Sequence, residues 1–321
     1  MRLAPSLAPS LAPSLAPLRS AFGPASIRRA LAVSAAVLQA AVGAPAMGQF
    51  TPPVRPAAVA EPTSGEDAVR VRWAVIGEAK AGGTVRVAAT FTIHPKWHIY
   101  WSNPGESGAP TRLSIELPEG CGLVAERGGR PVVDFPLPEV IRHGDTTIGY
   151  EGEVTLSFAV RLPEALPAGG LPAKVKADWL VCRESCLLGK NAAEIDLAKP
   201  VAAADPAVVR LSESLKAVPG PFPKSWKASL EEVGESDATL VVTLPPESAK
   251  APLVFLPHDN AGVALAEGYV AEGVGPELRV PLTISRDAAT GAELRVSGVI
   301  VVGNDGRAHA FDLPVPMVKA H

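Results

Sequence analysis

Alternation of apolar and polar residues is the sequence feature that most limits what this chain can fold into. Apolar residues take every second position in 69–75, and the same rhythm returns in 85–93. A period of two places successive side chains on opposite faces of a strand, so each run predicts a strand with one buried face. Gly82-Gly83 between the runs predicts a hairpin turn.

Short strand-like runs separated by Pro and Gly continue to residue 198. About seven such runs with turn signals between them are typical of a β-sandwich. The pattern starts again in 225–321, where strands are predicted at 238–244, 253–256, 278–284, 294–302 and 311–315. We therefore predict an all-β chain with one sandwich in 68–198 and a second in 225–321.

One helix is predicted between the two sandwiches. Asp205 can accept hydrogen bonds from free helical N–H groups, and Pro206 suits the first helical position. Val208, Leu211 and other apolar residues give a partial stripe, and Pro219-Gly220 ends it. Residues 199–224 are thus expected to be a short helical connector.

The first 46 residues predict an export signal with a low-complexity start. Leu-Ala-Pro-Ser repeats precede Arg28-Arg29, an apolar run over 30–42, and Ala44-Pro45-Ala46. This order of basic, apolar and small residues defines a secretory signal peptide, and the run is shorter than a bilayer span. A membrane anchor is the alternative, and Sec and Tat export both stay open. Residues 47–67 are expected to be a flexible leader, with no membrane span in the mature chain.

Charge and motifs exclude several functions. The net charge is −3 and no long basic run is present, which argues against a nucleic-acid partner. Neither G-x-S-x-G nor H-E-x-x-H occurs, so no hydrolase signature is visible. No cofactor and no metal are expected.

A pair of cysteines, Cys182 and Cys186, follows the strand-like run 177–181. A three-residue spacer lets the two sulfurs form a disulfide if the chain turns there. Spacing alone favours a permanent bridge, which is common in exported domains, although so small a loop stabilises little. Gly189 is expected to help the turn. Arg183 would favour a thiolate whereas Glu184 and Asp178 would oppose it, and which sulfur attacks stays open.

Other candidate residues have simpler interpretations. Cys121 is expected to be a small buried hydrophobe, with intermolecular pairing as the alternative. The aromatic cluster in 97–101 predicts core packing or a shield for the thiols. His94 and His98 beside two thiols raise the hypothesis of a Cu(I) site, although no C-x-x-C or His-x-His is present.

Three segments, 97–108, 149–154 and 178–186, together resemble the periplasmic N-terminal domain of the thiol:disulfide interchange protein DsbD. The form found in the copper-sensitivity suppressor ScsB group is the most similar. The resemblance implies an immunoglobulin-like sandwich, and 225–321 would fit a second such domain. It also implies that Cys182 and Cys186 are a redox pair, that the second cysteine exchanges, and that a cover lies near Arg142 to Ile148.

The function implied by this resemblance is thiol–disulfide exchange in the periplasm. In the family, the pair passes electrons from a membrane-embedded domain, through a thioredoxin-like domain, to periplasmic partners. This sequence has neither of those two domains, so we expect a separate membrane-embedded reductant and thioredoxin-fold partners, with the chain acting as one component of a protein-disulfide reductase. Two alternatives stay open: a copper-binding protein that uses the same thiols, and a non-catalytic binding module with a static disulfide.

Overall fold

The computed structural model describes residues 61–246, 250–285, 294–303 and 307–315. The predicted signal peptide and residues 47–60 of the predicted leader lie outside these ranges. A short helix, α1 (Gly65–Ala68), begins within the end of the predicted leader, and the Asp67 N–H donates a hydrogen bond to Ser64 Oγ. The bounds of the leader stay a prediction.

The first sandwich is built from the alternating runs, which form strands as predicted. The strands are β1 (Val69–Gly77), β2 (Thr84–Ile93), β3 (His98–Gly105), β4 (Arg112–Glu116), β5 (Gly122–Leu123), β6 (Glu126–Arg127), β7 (Arg130–Pro131), β8 (Glu139–His143), β9 (Asp145–Glu151), β10 (Glu153–Arg161), β11 (Pro172–Cys182) and β12 (Cys186–Asp196). Two sheets enclose the core, one in the order β1-β2-β10-β5 and one in the order β12-β11-β3-β9-β8, with β4 also pairing with β11. The strands β6 and β7 form a separate hairpin.

The predicted helix is present as α2, Pro206–Ala217. The Asp205 carboxylate accepts a hydrogen bond from the Ala207 N–H at 2.8 Å, which is the N-cap that the sequence predicts. The helix lies against β10 and buries Leu211. Because α2 covers this outer face, β10 is buried on both sides, and Thr90 and Thr155 satisfy each other there by a hydrogen bond between their hydroxyls.

The second sandwich contains the strands β13 (Gly220–Pro221), β14 (Lys227–Glu231), β15 (Asp237–Thr243), β16 (Pro252–Pro257), β17 (Val263–Leu265), β18 (Ala271–Val274), β19 (Glu277–Ile284), β20 (Arg295–Val302) and β21 (Arg307–Pro314). It also has two sheets, in the orders β13-β21-β20-β16-β18 and β14-β15-β19-β17. All five strands predicted from the alternation are found, with shifts at their ends.

The five-stranded sheet is buried on both faces. One face of β16 and β20 fills the core of the second sandwich, through residues such as Phe255 and Ile300. The opposite face presents Leu256 and Val299, which belong to the core of the first sandwich. The two sandwiches therefore pack into one compact unit.

The architecture is all-β, with two immunoglobulin-like sandwiches joined by a short helical connector, as predicted. The boundaries near residues 198 and 224 stay a prediction, because the first core contains residues from both sandwiches.

Candidate functional site

The two predicted cysteines close a β-hairpin. β11 and β12 pair along their whole length, and the last pair in the register is Cys182 opposite Cys186. Only Arg183, Glu184 and Ser185 form the turn, which is fixed by a hydrogen bond from the Arg183 N–H to the Ser185 carbonyl. The two Cα atoms are 4.2 Å apart and the sulfurs are joined in a disulfide.

The two sulfurs differ in accessibility. Cys182 is 3% exposed, whereas Cys186 is on the exposed face of β12, an edge strand of the six-stranded sheet. Attack on a disulfide requires access to the sulfur that is attacked. An incoming thiolate can therefore reach Cys186, and Cys182 would be the sulfur released.

His98 on β3 is the register partner of Cys182 on β11. On its other side, His98 is the register partner of Glu151 on β9. His98 Nε2 is 3.4 Å from the phenolic oxygen of Tyr100. Burial raises the pKa of Tyr100, with a smaller contribution from Asp145. The sequence showed His98 as a candidate, but only the strand register places it beside Cys182.

The turn carries a charge that is already paired. Arg183 Nη1 is 2.8 Å from Glu61 Oε1, and Arg183 Nη2 is 3.3 Å from Glu184 Oε1. The hydrogen bond from Arg183 is the largest cause of the lowered pKa of Glu61. The predicted opposition from Asp178 is not supported, because Asp178 lies four residues back on β11, opposite Lys190. Glu61 was missed by the sequence analysis, since nothing in the sequence links it to a residue so distant.

The predicted cover, Arg142 to Ile148, falls in the β8–β9 hairpin. Thr147 pairs with Gly105, at the end of β3 that is remote from His98 and Cys182, and Ile148 is part of the core. Tyr100 contacts His98, and Asp145 on the hairpin contributes to raising the pKa of Tyr100. That the hairpin covers the sulfurs stays a prediction.

The aromatic cluster is core. Trp97, Tyr100 and Trp101 are each less than 5% exposed. His94 lies in the turn before them, where its backbone N–H donates to the Ala68 carbonyl. Within the described residues, no group of three or more His, Cys, Asp and Glu side chains is arranged to hold a metal ion.

Gly189 has a different role from the predicted one. It lies inside β12, opposite Trp179, rather than in the turn. A Cβ atom at this position would be 2.3 Å from the Nε1 of Trp179, so glycine is required for the indole to pack across the strand. Packing, not turn geometry, explains this residue.

Cys121 is not in a disulfide and is partly buried against the first core. Burial raises the pKa of its thiol, which makes the reactive thiolate less populated. Its surroundings agree with the expectation of a small apolar residue.

Comparison with known proteins decides the family. A sequence profile for the N-terminal part of the thiol:disulfide interchange protein DsbD matches residues 64–196. Residues 64–196 belong to the DsbD N-terminal family. This DsbD N-terminal domain includes both cysteines of the hairpin, and the resemblance stated from the sequence is confirmed. No curated protein matches the chain.

A solved structure shares the fold of this DsbD N-terminal domain and of the sandwich that follows it. The N-terminal periplasmic domain of ScsB from Proteus mirabilis has a TM-score of 0.56 at 18% identity and covers 78% of this chain and 95% of its own. That coverage exceeds what residues 64–196 can supply, so the shared fold extends into the second sandwich.

Two further structures have TM-scores too low to support an argument. A protein of unknown function from Porphyromonas gingivalis W83 has a TM-score of 0.21 at 11% identity, covering 78% of this chain and 100% of its own. The MSCRAMM ACE of Enterococcus faecalis has a TM-score of 0.19 at 10% identity, covering 76% and 93%. Among the described residues, neither helix has the length and apolar character needed to cross a bilayer.

Proposed function

We propose that this chain is a periplasmic thiol–disulfide exchange protein that carries reducing equivalents through Cys182 and Cys186. The observation that supports this most directly is the unequal exposure of two bonded cysteine residues that flank a three-residue turn. A static bridge needs no accessible sulfur, whereas exchange needs one accessible sulfur and one close enough to resolve the mixed disulfide. The DsbD N-terminal family match supports the same chemistry.

The exchange proceeds in two balanced steps. In the reduced protein, the Cys186 thiolate attacks one sulfur of a partner disulfide, which forms a mixed disulfide and releases the second partner sulfur as a thiolate. The Cys182 thiolate then attacks Cys186, which restores the Cys182–Cys186 disulfide and releases the first partner sulfur. Two electrons pass to the partner, and the two protons lost by this protein's thiols balance those taken up by the partner's.

The proposed partners follow from the match to the DsbD N-terminal family. Thioredoxin-fold periplasmic proteins are the proposed acceptors, and a separate membrane-embedded protein is the proposed donor. The protein would act as one component of a protein-disulfide reductase. Cys186 on an edge strand offers such partners an approach from solvent.

Redox titration tests the role of the couple. Structural disulfides have potentials below about −300 mV, whereas exchange couples lie higher. Equilibration of the purified protein with glutathione or dithiothreitol buffers, followed by thiol labelling and mass spectrometry, gives the potential. A value above −300 mV is expected, and a lower value would assign the bridge to structure.

Trapping with single-cysteine variants tests the direction. Cys182→Ala leaves the exposed sulfur without its resolving partner, so it should accumulate mixed disulfides with a purified thioredoxin-fold partner. Cys186→Ala is the matched control, because it leaves only the buried sulfur and should trap far less. Equal trapping by both variants, or none by either, would contradict the proposed order of attack.

Copper handling by the same thiols makes a different prediction. It requires stoichiometric Cu(I) uptake by the reduced protein and loss of that uptake in Cys182→Ser. The redox role requires neither, so a Cu(I) titration of the reduced protein separates the two.

A further inference from the structure

A cleft of about 530 Å³ lies between the two sandwiches, away from the cysteine hairpin. The first sandwich contributes Trp101, Phe135 and the β6–β7 hairpin to its wall, and the second contributes His258 and Phe311. Its volume falls within the range of small-molecule sites, which occur preferentially where domains meet. The packing of the two sandwiches leaves this space open.

The floor of the cleft joins an aromatic surface to polar groups. The rings of Trp101 and His258 are in contact, with centroids 4.9 Å apart. Ser102 Oγ is 3.2 Å from His258 Nδ1, which ties the imidazole across the interface. Trp101 is 1% exposed, and its indole N–H has no hydrogen-bond partner within the described residues.

Within the described residues, some of the charged side chains that line the cleft are in ion pairs, and others are not. Two of its carboxylates are in ion pairs with arginines, Asp134 with Arg86 and Asp312 with Arg295. Asp259 is exposed at the rim. These ion pairs compensate two of the three carboxylates that line the cleft.

Arg127 is the cation of the cleft with no ion-pair partner in the described part of the chain. It lies on the β6–β7 hairpin, is exposed, and lines the cleft. The pKa of His258 is lowered to about 4, chiefly by burial and to a smaller extent by the charge of Arg127, while Asp312 acts in the opposite direction. The imidazole is therefore neutral at pH 7 and close enough to the guanidinium to respond to its charge.

We propose that this cleft binds a small aromatic anion, a carboxylate or sulfonate, with its ring against Phe135 and His258 and its charged group facing Arg127. The aromatic walls supply apolar contact area, and the guanidinium supplies charge-assisted hydrogen bonds to a planar acidic group. Nothing in this proposal depends on the redox role of the hairpin.

The probe for the test is 1-anilinonaphthalene-8-sulfonate, which joins aromatic rings to one fixed negative charge. Its fluorescence is titrated with the full mature chain at pH 7 and low salt. Saturable binding to one site is expected, and Arg127→Gln should weaken it about tenfold by removing a charge-assisted contact. Arg130→Gln is the matched control, since it removes the same charge from the same hairpin and does not line the cleft.

The second readout is the imidazole of His258, followed by nuclear magnetic resonance with and without the probe. A bound anion should raise the pKa of His258 in the parent protein, and in Arg127→Gln the same rise should require about tenfold more probe. The proposal is overturned if no saturable binding occurs up to 1 mM probe. It is equally overturned if both arginine variants bind alike, or if binding leaves His258 unaffected.

Discussion

Arg183, the first residue of the turn between the two cysteines, forms an ion pair with Glu61, which lies 122 residues earlier in the chain. A residue before α1 thus pairs with a charge next to the cysteine hairpin. Glu61→Gln removes one of the two carboxylates paired with Arg183, so more of its charge should favour a nearby Cys186 thiolate and raise the reduction potential of the couple.

The expected effect of Glu61→Gln is modest because both side chains are solvent-exposed, with a change in exchange rate of about threefold or less. Stopped-flow reaction of the reduced protein with a small disulfide across a pH series measures it. Glu116→Gln breaks a comparable exposed ion pair, between Glu116 on β4 and Lys176 on β11, and should leave the rate unchanged. An equal response of both variants would show that the effect is not local.

Unequal exposure predicts unequal reactivity of the two thiols. In the reduced protein, iodoacetamide should label Cys186 at least about tenfold faster than Cys182, because a buried thiol is shielded and its thiolate is disfavoured. Brief labelling followed by peptide mass spectrometry measures the ratio. In denaturant the two rates should converge, and a native ratio near one would remove the basis for the proposed order of attack.

Gly189→Ala should destabilise the protein by about 1–3 kcal/mol, because the added methyl group collides with the Trp179 indole. Gly169→Ala is the matched control, since nothing lies within 4 Å of the added atom there and its backbone is not left-handed. Urea denaturation of both variants gives the comparison. A neutral Gly189→Ala would mean that Trp179 can move without cost.

His258 should make stability depend on pH. Its pKa is about 4 in the folded protein, against about 6.5 in an unfolded chain. As pH falls below 6.5, the unfolded chain takes up a proton that the fold resists, so stability declines between pH 6.5 and 4 by about 2–3 kcal/mol. No further loss from this residue is expected below pH 4.

Denaturation at pH 7 and pH 4.5 measures this dependence, although carboxylates contribute to the total. His258→Gln isolates the histidine because it keeps a polar group near Ser102 and cannot titrate. The variant should lose less stability between the two pH values than the parent does. An identical loss in both proteins would show that His258 is not held in its neutral form.

Much of the fold could be predicted because strand alternation and helix capping are local signals. The capped helix at Asp205 and the strands of both sandwiches needed only their own residues and neighbours. The cysteine pair was visible for the same reason, since its two members are close in sequence. The role predicted for Gly189 in the turn was wrong, because the side chain it packs against, Trp179, is placed opposite it only by the register of the β11–β12 hairpin.

The rest of the site depends on contacts between distant segments. His98 meets Cys182 only through the pairing of β3 with β11, and Glu61 meets Arg183 only through the path of the chain before α1. The double burial of the five-stranded sheet did leave a signal, because β16 and β20 are nearly continuous apolar runs, unlike strands that have one face in water.

The shared core has a consequence for how the protein melts. Leu256 and Val299 come from the second sandwich but fill the core of the first, so neither sandwich can lose its structure without exposing the apolar surface of the other. Differential scanning calorimetry should therefore show one endotherm rather than two. Cutting the chain at the connector would remove these two side chains and expose the apolar surface of the first sandwich that they cover. The sandwich that holds the disulfide is therefore not expected to be stable on its own.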